Sequence, residues 1–163
     1  MIHRTFLTSC GLALAFALGA AHAQTVAAPS PAAADNPRAG TVKSVRGDVK
    51  LESAGAPARS PAAGDAVEAV DHIQTGADSG ASVIMRDGTA LVLGPSSRLD
   101  LKDFKFDSTT QEGSLLVSLL RGSLRMVSGL IGKTRPEAVK VETPTAVIGI
   151  RGTDFIVEAD PQR

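Results

Sequence analysis

The pattern of apolar and polar positions from residue 40 onward is that of short β-strands. Side chains alternate between the two faces of a strand, so runs in which every second residue is apolar indicate strands with one buried face. Leu99 and Leu101 alternate with polar residues, as do Phe104 and Phe106. Residues 82–85 and 90–93 are short β-type runs that flank Asp87-Gly88. This dipeptide predicts a tight hairpin turn, because glycine accepts the positive φ that such turns require. We therefore predict an all-β domain of short antiparallel strands and hairpins over residues 40–160.

The leucine-rich segment 115–127 is the one stretch that resembles a helix. Gly122 lies at its centre, and Leu124 and Met126 alternate with polar residues. This alternation, interrupted by a glycine, favours two strands that meet at a bend. The following residues 128–136 contain two glycines and are predicted to form an exposed loop.

A short string of an apolar residue, arginine and glycine occurs at residues 45–47, 120–122 and 150–152. In each case glycine permits a bend, the apolar residue can face inward and arginine can face solvent. Gly47 and Gly122 are therefore interpreted as structural turns, together with the Asp87-Gly88 turn. Strands that bend alike can stack, so the predicted architecture is a β-sandwich or a β-solenoid-like core.

The first residues have the features of a secretory signal. Arg4 precedes a mainly apolar run over residues 6–18, and residues 21–23 form a small-x-small cleavage site. We therefore expect residues 1–23 to be a signal peptide and the mature protein to be periplasmic or secreted. Two alternatives remain open, which are retention of the segment as a membrane anchor and lipid modification at Cys10.

Residues 24–39 are rich in alanine and proline and cannot bury much surface, so we expect a disordered linker before the domain. The chain carries 17 basic and 17 acidic residues. Nucleic-acid binding requires a concentrated basic surface, so this balance gives no reason to invoke nucleic acid as a partner. No second apolar segment is long enough to span a membrane once the signal is cleaved.

Candidate catalytic groups are few in the expected mature chain. His3 and His22 lie in the expected signal, which leaves His72, and the sole cysteine lies there too. A Cys–His nucleophile pair and an ordinary zinc site therefore lack their residues. The Asp71-His72 pair is interpreted as a surface or strand-edge pair rather than a catalytic base.

Three aspartates have a loose spacing that does not match a calcium-binding loop and are interpreted as a solvated face: Asp100, Asp103 and Asp107. The sequence thus predicts no catalytic, cofactor-binding or metal-binding residue. We expect a protein that is not an enzyme and needs no cofactor.

Five strings, in the order in which they occur, resemble the FecR domain family: Gly64-Asp65-Ala66-Val67, residues 73–81, Asp87-Gly88-Thr89, residues 93–97 and residues 143–157. The resemblance extends over about residues 40–157 and implies an all-β extracytoplasmic domain. In the better-known FecR-type sigma regulators, a cytoplasmic helical segment precedes a membrane span. Few residues precede the apolar segment here, so we do not expect that signalling role to transfer.

The residues most similar to the family form a candidate structural or recognition motif: Gly149, Ile150, Arg151, Gly152 and Thr153. In the structural interpretation the glycines let closely packed strands turn, and Thr153 suits a β surface. In the functional interpretation the motif contacts a partner. A glycine acts mainly through backbone geometry, which favours the structural interpretation.

These observations favour an exported, non-enzymatic interaction module of the cell envelope whose partner is a protein. The alternative is a cell-wall or polysaccharide-binding module. Glycan sites commonly use aromatic faces, and the chain has no tryptophan or tyrosine, which counts against this alternative. The identity of the partner and the oligomeric state are left open.

The export prediction is tested by intact-mass and N-terminal analysis of protein recovered from outside the cytoplasm. We expect the mature chain to begin at Gln24, because cleavage follows the small residue Ala23. A lipid-modified N-terminus at Cys10 would overturn both the cleavage site and the soluble assignment.

Overall fold

The computed structural model describes residues 38–160, so the expected signal peptide, Cys10 and residues 24–37 of the expected linker lie outside the described part. Strands dominate, and the all-β prediction is confirmed. The strands are β1 Arg38–Arg46, β2 Val49–Glu52, β3 Ala66–Glu68, β4 His72–Thr75, β5 Gly80–Met85, β6 Ala90–Leu93, β7 Arg98–Phe106, β8 Gly113–Val127, β9 Val139–Glu142, β10 Val147–Gly149 and β11 Asp154–Ala159. The short helix α1 Leu130–Thr134 and a 3₁₀ turn Pro136–Ala138 lie between β8 and β9. Strand β1 begins two residues before the expected domain start at residue 40.

The eleven strands form one sheet that curls into a half-barrel. Half-sheet A has the order β3-β1-β5-β6-β8-β11, and half-sheet B has the order β2-β4-β7-β8-β9-β10. Strand β8 belongs to both, because residues 113–121 pair with β7 and residues 122–127 pair with β6 and β11. Every pairing is antiparallel except that of β8 with β9. Antiparallel hairpins thus build nearly the whole sheet.

The crease between the two half-sheets is a line of turns. The chain crosses from one half-sheet to the other at residues 47–48, 76–79 and 94–97, and β8 crosses at Gly122. These turns lie side by side because the strands that they connect are neighbours in both half-sheets. The crease therefore sets the angle at which the half-sheets enclose the core.

Backbone hydrogen bonds join each turn of the crease to its neighbour. Gly76 N donates to Asp48 O at 2.9 Å, and Ser96 N donates to Gly76 O at 2.8 Å. Gly94 N donates to Ser123 O at 3.0 Å. These hydrogen bonds connect the four turns in one continuous line.

Gly122 is the point at which β8 bends. Its φ is +85°, and a Cβ added there would lie 2.5 Å from Cα of Ser97. Ser97 is buried, and its Oγ accepts a hydrogen bond from Ser123 N at 3.0 Å. The residue at position 122 must therefore have no side chain. The segment 115–127 lies within one bent strand, where the sequence suggested two strands that meet at a bend.

Gly47 marks the first turn of the crease and Gly88 the hairpin between β5 and β6. Their φ angles are +74° and +84°. The side chain of Asp87 closes the hairpin, since its Oδ1 accepts a hydrogen bond from Thr89 N at 3.0 Å. Beside Gly47, the buried Oγ of Ser79 accepts a hydrogen bond from Asp48 N at 2.8 Å.

The core fills the space between the half-sheets. Alternate residues of each strand point into it, as the burial of β4, β5 and β6 shows. Aliphatic side chains dominate it, and the largest fully buried ones are Leu51, Leu91, Leu93, Leu99, Leu115, Leu119, Leu124, Met126 and Ile131. Burial of each such side chain contributes about 1.5–3 kcal/mol, and this burial drives the folding of the sheet.

The predicted exposed loop over residues 128–136 is wrong. Gly129 is buried, and Ile131 on α1 packs into the core. The turn at Asp87 holds this segment, because Gly129 N donates to Thr89 Oγ1 at 3.0 Å while Thr89 Oγ1 donates to Asp87 Oδ2 at 2.7 Å. The segment thus closes the core beside the two ends of β8.

One end of the half-barrel is spanned by the connection between β2 and β3, residues 53–65. Leu51 and Arg59 exchange backbone hydrogen bonds at 2.8 and 2.9 Å, which covers part of the β2 edge. Val42 N donates to Asp65 O at 2.8 Å, which ties the connection to β1. Pro61 is buried beneath it. This end is called the covered end below.

The bend in β8 predicts a large difference between two glycine substitutions. Gly55 has a φ of +76° with open space around it, so Gly55→Ala should cost only the backbone strain, about 1 kcal/mol. Gly122→Ala adds the overlap with Ser97 and should lower the free energy of unfolding by about 3–5 kcal/mol. Urea unfolding monitored by circular dichroism measures both. Equal effects of the two substitutions would contradict the packing account of the crease.

Candidate functional site

The end of the half-barrel opposite the covered end is formed by β10 and β11. Each is the last strand of its half-sheet and has a strand neighbour on one side only among residues 38–160. A groove with a volume of about 440 Å³ lies against both, lined by residues 148–152 and 154–158. Sheet edges with unpaired backbone groups are the places where a further strand can add. This end is called the open end below.

The alternation of the ladder identifies the unpaired backbone groups of β11. Ser128 N donates to Thr153 O at 2.8 Å, which sets the phase of the pairing with β8. In an antiparallel pair, successive residues direct their N–H and C=O groups to opposite sides. The backbone groups of Asp154, Ile156 and Glu158 therefore point away from β8, toward the free edge.

The same reasoning applies to the shorter strand β10. Thr143 N donates to Ala146 O at 2.8 Å in the turn between β9 and β10. Val147 and Gly149 then direct their backbone groups away from β9. Among residues 38–160, the open end thus presents backbone groups without a strand partner from both half-sheets.

Each face of β11 carries at least one apolar side chain at the open end. Val157 is buried and Phe155 is half-buried on the inner face. Ile156 on the outer face is 65% exposed, and Val147 on β10 is 66% exposed. Val92 on β6 and Val127 on β8 are also exposed on this outer face, where Arg125 lies between Val92 and Ile156 in the register. These exposed side chains are called the outer apolar residues: Val92, Val127 and Ile156.

Two acidic residues flank Ile156 on the outer face of β11. Asp154 forms a two-pronged ion pair with Arg125, whose Nε lies 2.9 Å from Oδ1 and whose Nη2 lies 2.6 Å from Oδ2. The hydrogen bonds from Arg125 lower the pKa of Asp154, and desolvation offsets part of this effect. Glu158 forms no ion pair with any residue of the described chain. Glu158 is therefore an acidic side chain of this edge without an ion-pair partner among residues 38–160.

The candidate motif at residues 149–153 connects β10 to β11. Ile150 is only 4% exposed, whereas the three residues after it are exposed. Gly152 has a φ of +145° with open space around it, and its carbonyl oxygen accepts a hydrogen bond from Ser128 Oγ at 3.1 Å. A second groove of about 810 Å³ separates the motif from the 3₁₀ turn. The motif thus contains a buried anchor and an exposed backbone between two grooves.

The Asp71-His72 pair was predicted to lie at the surface or at a strand edge, and the structure places it elsewhere. Asp71 is buried, and its Oδ2 accepts a hydrogen bond from Glu68 N at 2.8 Å, which closes the turn before β4. His72 lies on β4 between β2 and β7, away from a strand edge. Its Nδ1 lies 2.8 Å from Asp100 Oδ1, outside hydrogen-bond geometry.

The predicted solvated face is wrong for Asp100, which is only 5% exposed. Three basic side chains surround its carboxylate: His72, Arg98 and Lys102. Asp103 is half-buried and accepts a hydrogen bond from Ser114, whereas Asp107 is exposed and accepts hydrogen bonds from two backbone N–H groups. Residues 38–160 contain no group of three acidic, histidine or cysteine side chains that could hold a metal ion.

His72, Asp100 and Ser118 form one row across β4, β7 and β8. The aspartate lies between the other two residues in this row. In a Ser-His-Asp triad the histidine must lie between the serine and the aspartate, because it takes the proton of the serine. The row therefore has the wrong order for nucleophilic catalysis by Ser118.

Sequence reasoning missed the buried hydroxyl groups of Thr75, Ser79, Thr89 and Ser97. Each hydroxyl bonds to a turn of the crease or of the adjacent hairpin. Their common signal is a small polar residue within three positions of a glycine that lies in a turn or at the start of a strand. That signal indicates a turn but not the distant segment to which the hydroxyl bonds.

Comparison with known proteins shows the family. The model of the family described as FecR protein matches residues 71–163, which is more than half of the 163-residue chain. The chain therefore belongs to the FecR family, which is a regulatory and signalling family associated with the cell envelope. No curated protein and no solved structure matches the chain. Within the described residues, no helix is both long and apolar enough to cross a membrane.

The ion pair of β11 predicts the titration of Asp154. Its pKa in the folded protein should lie below the ordinary value of 3.8, because Arg125 donates hydrogen bonds to the charged form. The folded pKa is depressed, so the contribution to stability is present above the unfolded pKa and is lost as the pH falls through the folded pKa. Carboxyl NMR titration measures the midpoint. Arg125→Gln should raise it toward 3.8, and an unchanged midpoint would contradict the assigned cause.

Proposed function

We propose that this FecR-family chain is an exported, non-enzymatic protein-interaction module of the cell envelope. Under this proposal residues 1–23 are removed as a signal peptide, residues 24–37 form a linker, and the β domain beginning at residue 38 binds an envelope protein in signalling or assembly. The observation that carries the proposal is the open end, where two free sheet edges meet exposed apolar side chains. A polypeptide partner satisfies both features at once.

The backbone groups of the open end favour a protein over other partners. Asp154, Ile156 and Glu158 direct N–H and C=O groups outward in the spacing of a strand. Such a row is complementary to another extended chain, which offers acceptors and donors at the same repeat. The exposed side chain of Ile156 in this row adds an apolar surface that contact with protein removes from water.

The alternative function is binding of the cell wall or another polysaccharide. Three phenylalanines lie in the domain, and none of them is exposed: Phe104, Phe106 and Phe155. A glycan site within residues 38–160 would therefore have no fully exposed aromatic ring to stack on, since Phe104 is buried and the other two are half-buried. The module is proposed to act without a cofactor and without nucleic acid, in line with its near-neutral charge.

The cluster of charged side chains around Asp100 supports the proposal that the protein is not an enzyme. His72 is the one histidine among residues 38–160, and its carboxylate neighbour is held by Arg98 and Lys102 as well. These cations stabilise the buried charge of Asp100, which accounts for the cluster as a structural one. Membership in a regulatory family supports the same conclusion.

Photo-crosslinking in intact cells of the native host tests this function. A photoreactive phenylalanine analogue at position 156 should crosslink to an envelope protein, because Ile156 lies at the centre of the open end. The matched control carries the analogue at Lys105, whose side chain is 78% exposed on half-sheet B. We expect a defined protein adduct at position 156 and none at position 105.

The same protein, incubated with isolated cell wall, tests the alternative function. Retention by wall material from which proteins have been stripped, with competition by soluble glycan, would overturn the protein-partner proposal. The result expected under the proposal is no retention by the stripped wall.

A further inference from the structure

We propose that the partner contributes an extended strand that adds to the free edge of β11, with apolar residues facing inward and a basic residue beside Glu158. This inference rests on the proposed function and specifies the binding site and the chemistry of the ligand. The ligand is an extended peptide segment with alternating apolar residues and positive charge.

The free edge of β11 can hold such a strand with backbone hydrogen bonds alone. Asp154, Ile156 and Glu158 each present one N–H donor and one C=O acceptor, which gives up to six hydrogen bonds. The covered end offers no equivalent row. There Arg59 already bonds to β2, and β3 is only three residues long. Strand addition is therefore specific to the open end.

The side chains of β11 define the two faces of an added strand. Phe155 and Val157 point toward the core, so the residues of the partner beside them continue the apolar inner face. Ile150 lies in the groove next to them and is buried. Alternate residues of the partner would therefore enter the groove of about 440 Å³ between β10 and β11.

The outer face of β11 favours a positively charged residue on the partner strand. Arg125 compensates Asp154, whereas Glu158 has no ion-pair partner within residues 38–160. A lysine or arginine of the partner beside Glu158 would form a cross-strand pair of opposite charge, which stabilises a sheet. The inner face requires apolar residues and the outer face favours a basic one.

The same charges disfavour a second copy of this chain as the occupant. Antiparallel pairing of two β11 strands centred on Ile156 places Asp154 of one copy beside Glu158 of the other. Like charges directly opposite each other destabilise a sheet. A foreign basic strand is thus a better match than self-association.

A defined peptide tests the inference on the full chain. The probe is a soluble nine-residue peptide, capped at both ends, in which valines alternate with threonine and lysine. Two control peptides carry N-methyl groups on alternate amides, one set on each edge. We expect isothermal titration calorimetry to show binding of the unmodified peptide and of one methylated peptide only, because a strand uses a single edge for pairing. Equal binding of both methylated peptides, or no binding of the unmodified one, would overturn strand addition.

Two variants of β11 separate the backbone contribution from that of the side chain. Ile156→Pro removes a free-edge N–H and leaves the ladder to β8 in place, since proline is tolerated on an edge strand whose N–H faces solvent. Ile156→Ala shortens the side chain and keeps that N–H. We expect the proline variant to bind the peptide about tenfold more weakly than the alanine variant, because it also leaves an acceptor of the peptide unpaired. NMR spectra of both variants confirm that the fold is retained, and equal affinities would contradict the inference.

A charge reversal tests the selectivity. Glu158→Lys should reverse the preference of the protein from the lysine-containing peptide to one with glutamate in its place. An unchanged preference would show that Glu158 does not select the charge of the peptide.

A concentration-dependent dimer in sedimentation velocity would identify a second copy as the occupant and overturn the basic-strand proposal. A photo-crosslink from position 156 to the chain's own N-terminal residues would identify a segment of this chain as the occupant, and it would also overturn the basic-strand proposal.

The two proposals can fail separately. A protein adduct at position 156 in cells, together with no difference between the methylated peptides, would leave the envelope interaction standing and overturn strand addition. Binding of the peptide on one edge, together with retention by stripped cell wall, would overturn the proposed protein partner in cells while the edge site itself remains.

Discussion

The bend of β8 at Gly122 is the constraint on which the other features depend. Without the bend, the fifteen residues of β8 would continue in one half-sheet. The glycine lets it turn, and the contact with Ser97 fixes where it turns. Each half of β8 then has its own neighbours, so one strand holds two half-sheets together around a single core. The line of hydrogen-bonded turns beside Gly122 extends this bend across the sheet.

The same bend determines where the protein is open. On one side of β8 the strands continue to β2 and β3, and residues 53–65 span the gap between them. On the other side half-sheet A ends at β11, while half-sheet B continues through β9 to β10. Half-sheet A therefore ends at β11 and half-sheet B ends at β10, and the two edge strands line a groove. The candidate motif lies there because it connects these two strands.

Local chemistry made much of the fold predictable. Features that depend on residues close together in the sequence can be predicted from a local pattern. These are the Asp87-Gly88 hairpin, the bend at Gly122 and the alternation of apolar residues along the strands. The hydrogen bond from Gly129 to Thr89 spans 40 positions, and that between Ser123 and Ser97 spans 26. A local pattern does not predict contacts between residues so far apart in the sequence. Residues 128–136 were predicted to be exposed for this reason. Burial of Asp100 was missed for a related reason, since it depends on the pairing of β7 with β4, which brings His72 beside the carboxylate. The edge position of β11 follows from strand order, which no local motif encodes.

Amide hydrogen exchange along β11 tests the central claim, that this strand has one bonded edge and one free edge. In the free protein, the amides of Phe155 and Val157 should be protected because they donate to β8, and those of Ile156 and Glu158 should exchange at rates near those of an unfolded chain. NMR-detected exchange resolves these residues individually. Alternating protection along the strand is the result that the account predicts. Uniform protection of all four amides would show that the edge is already paired, and it would contradict the open end on which the proposed function depends.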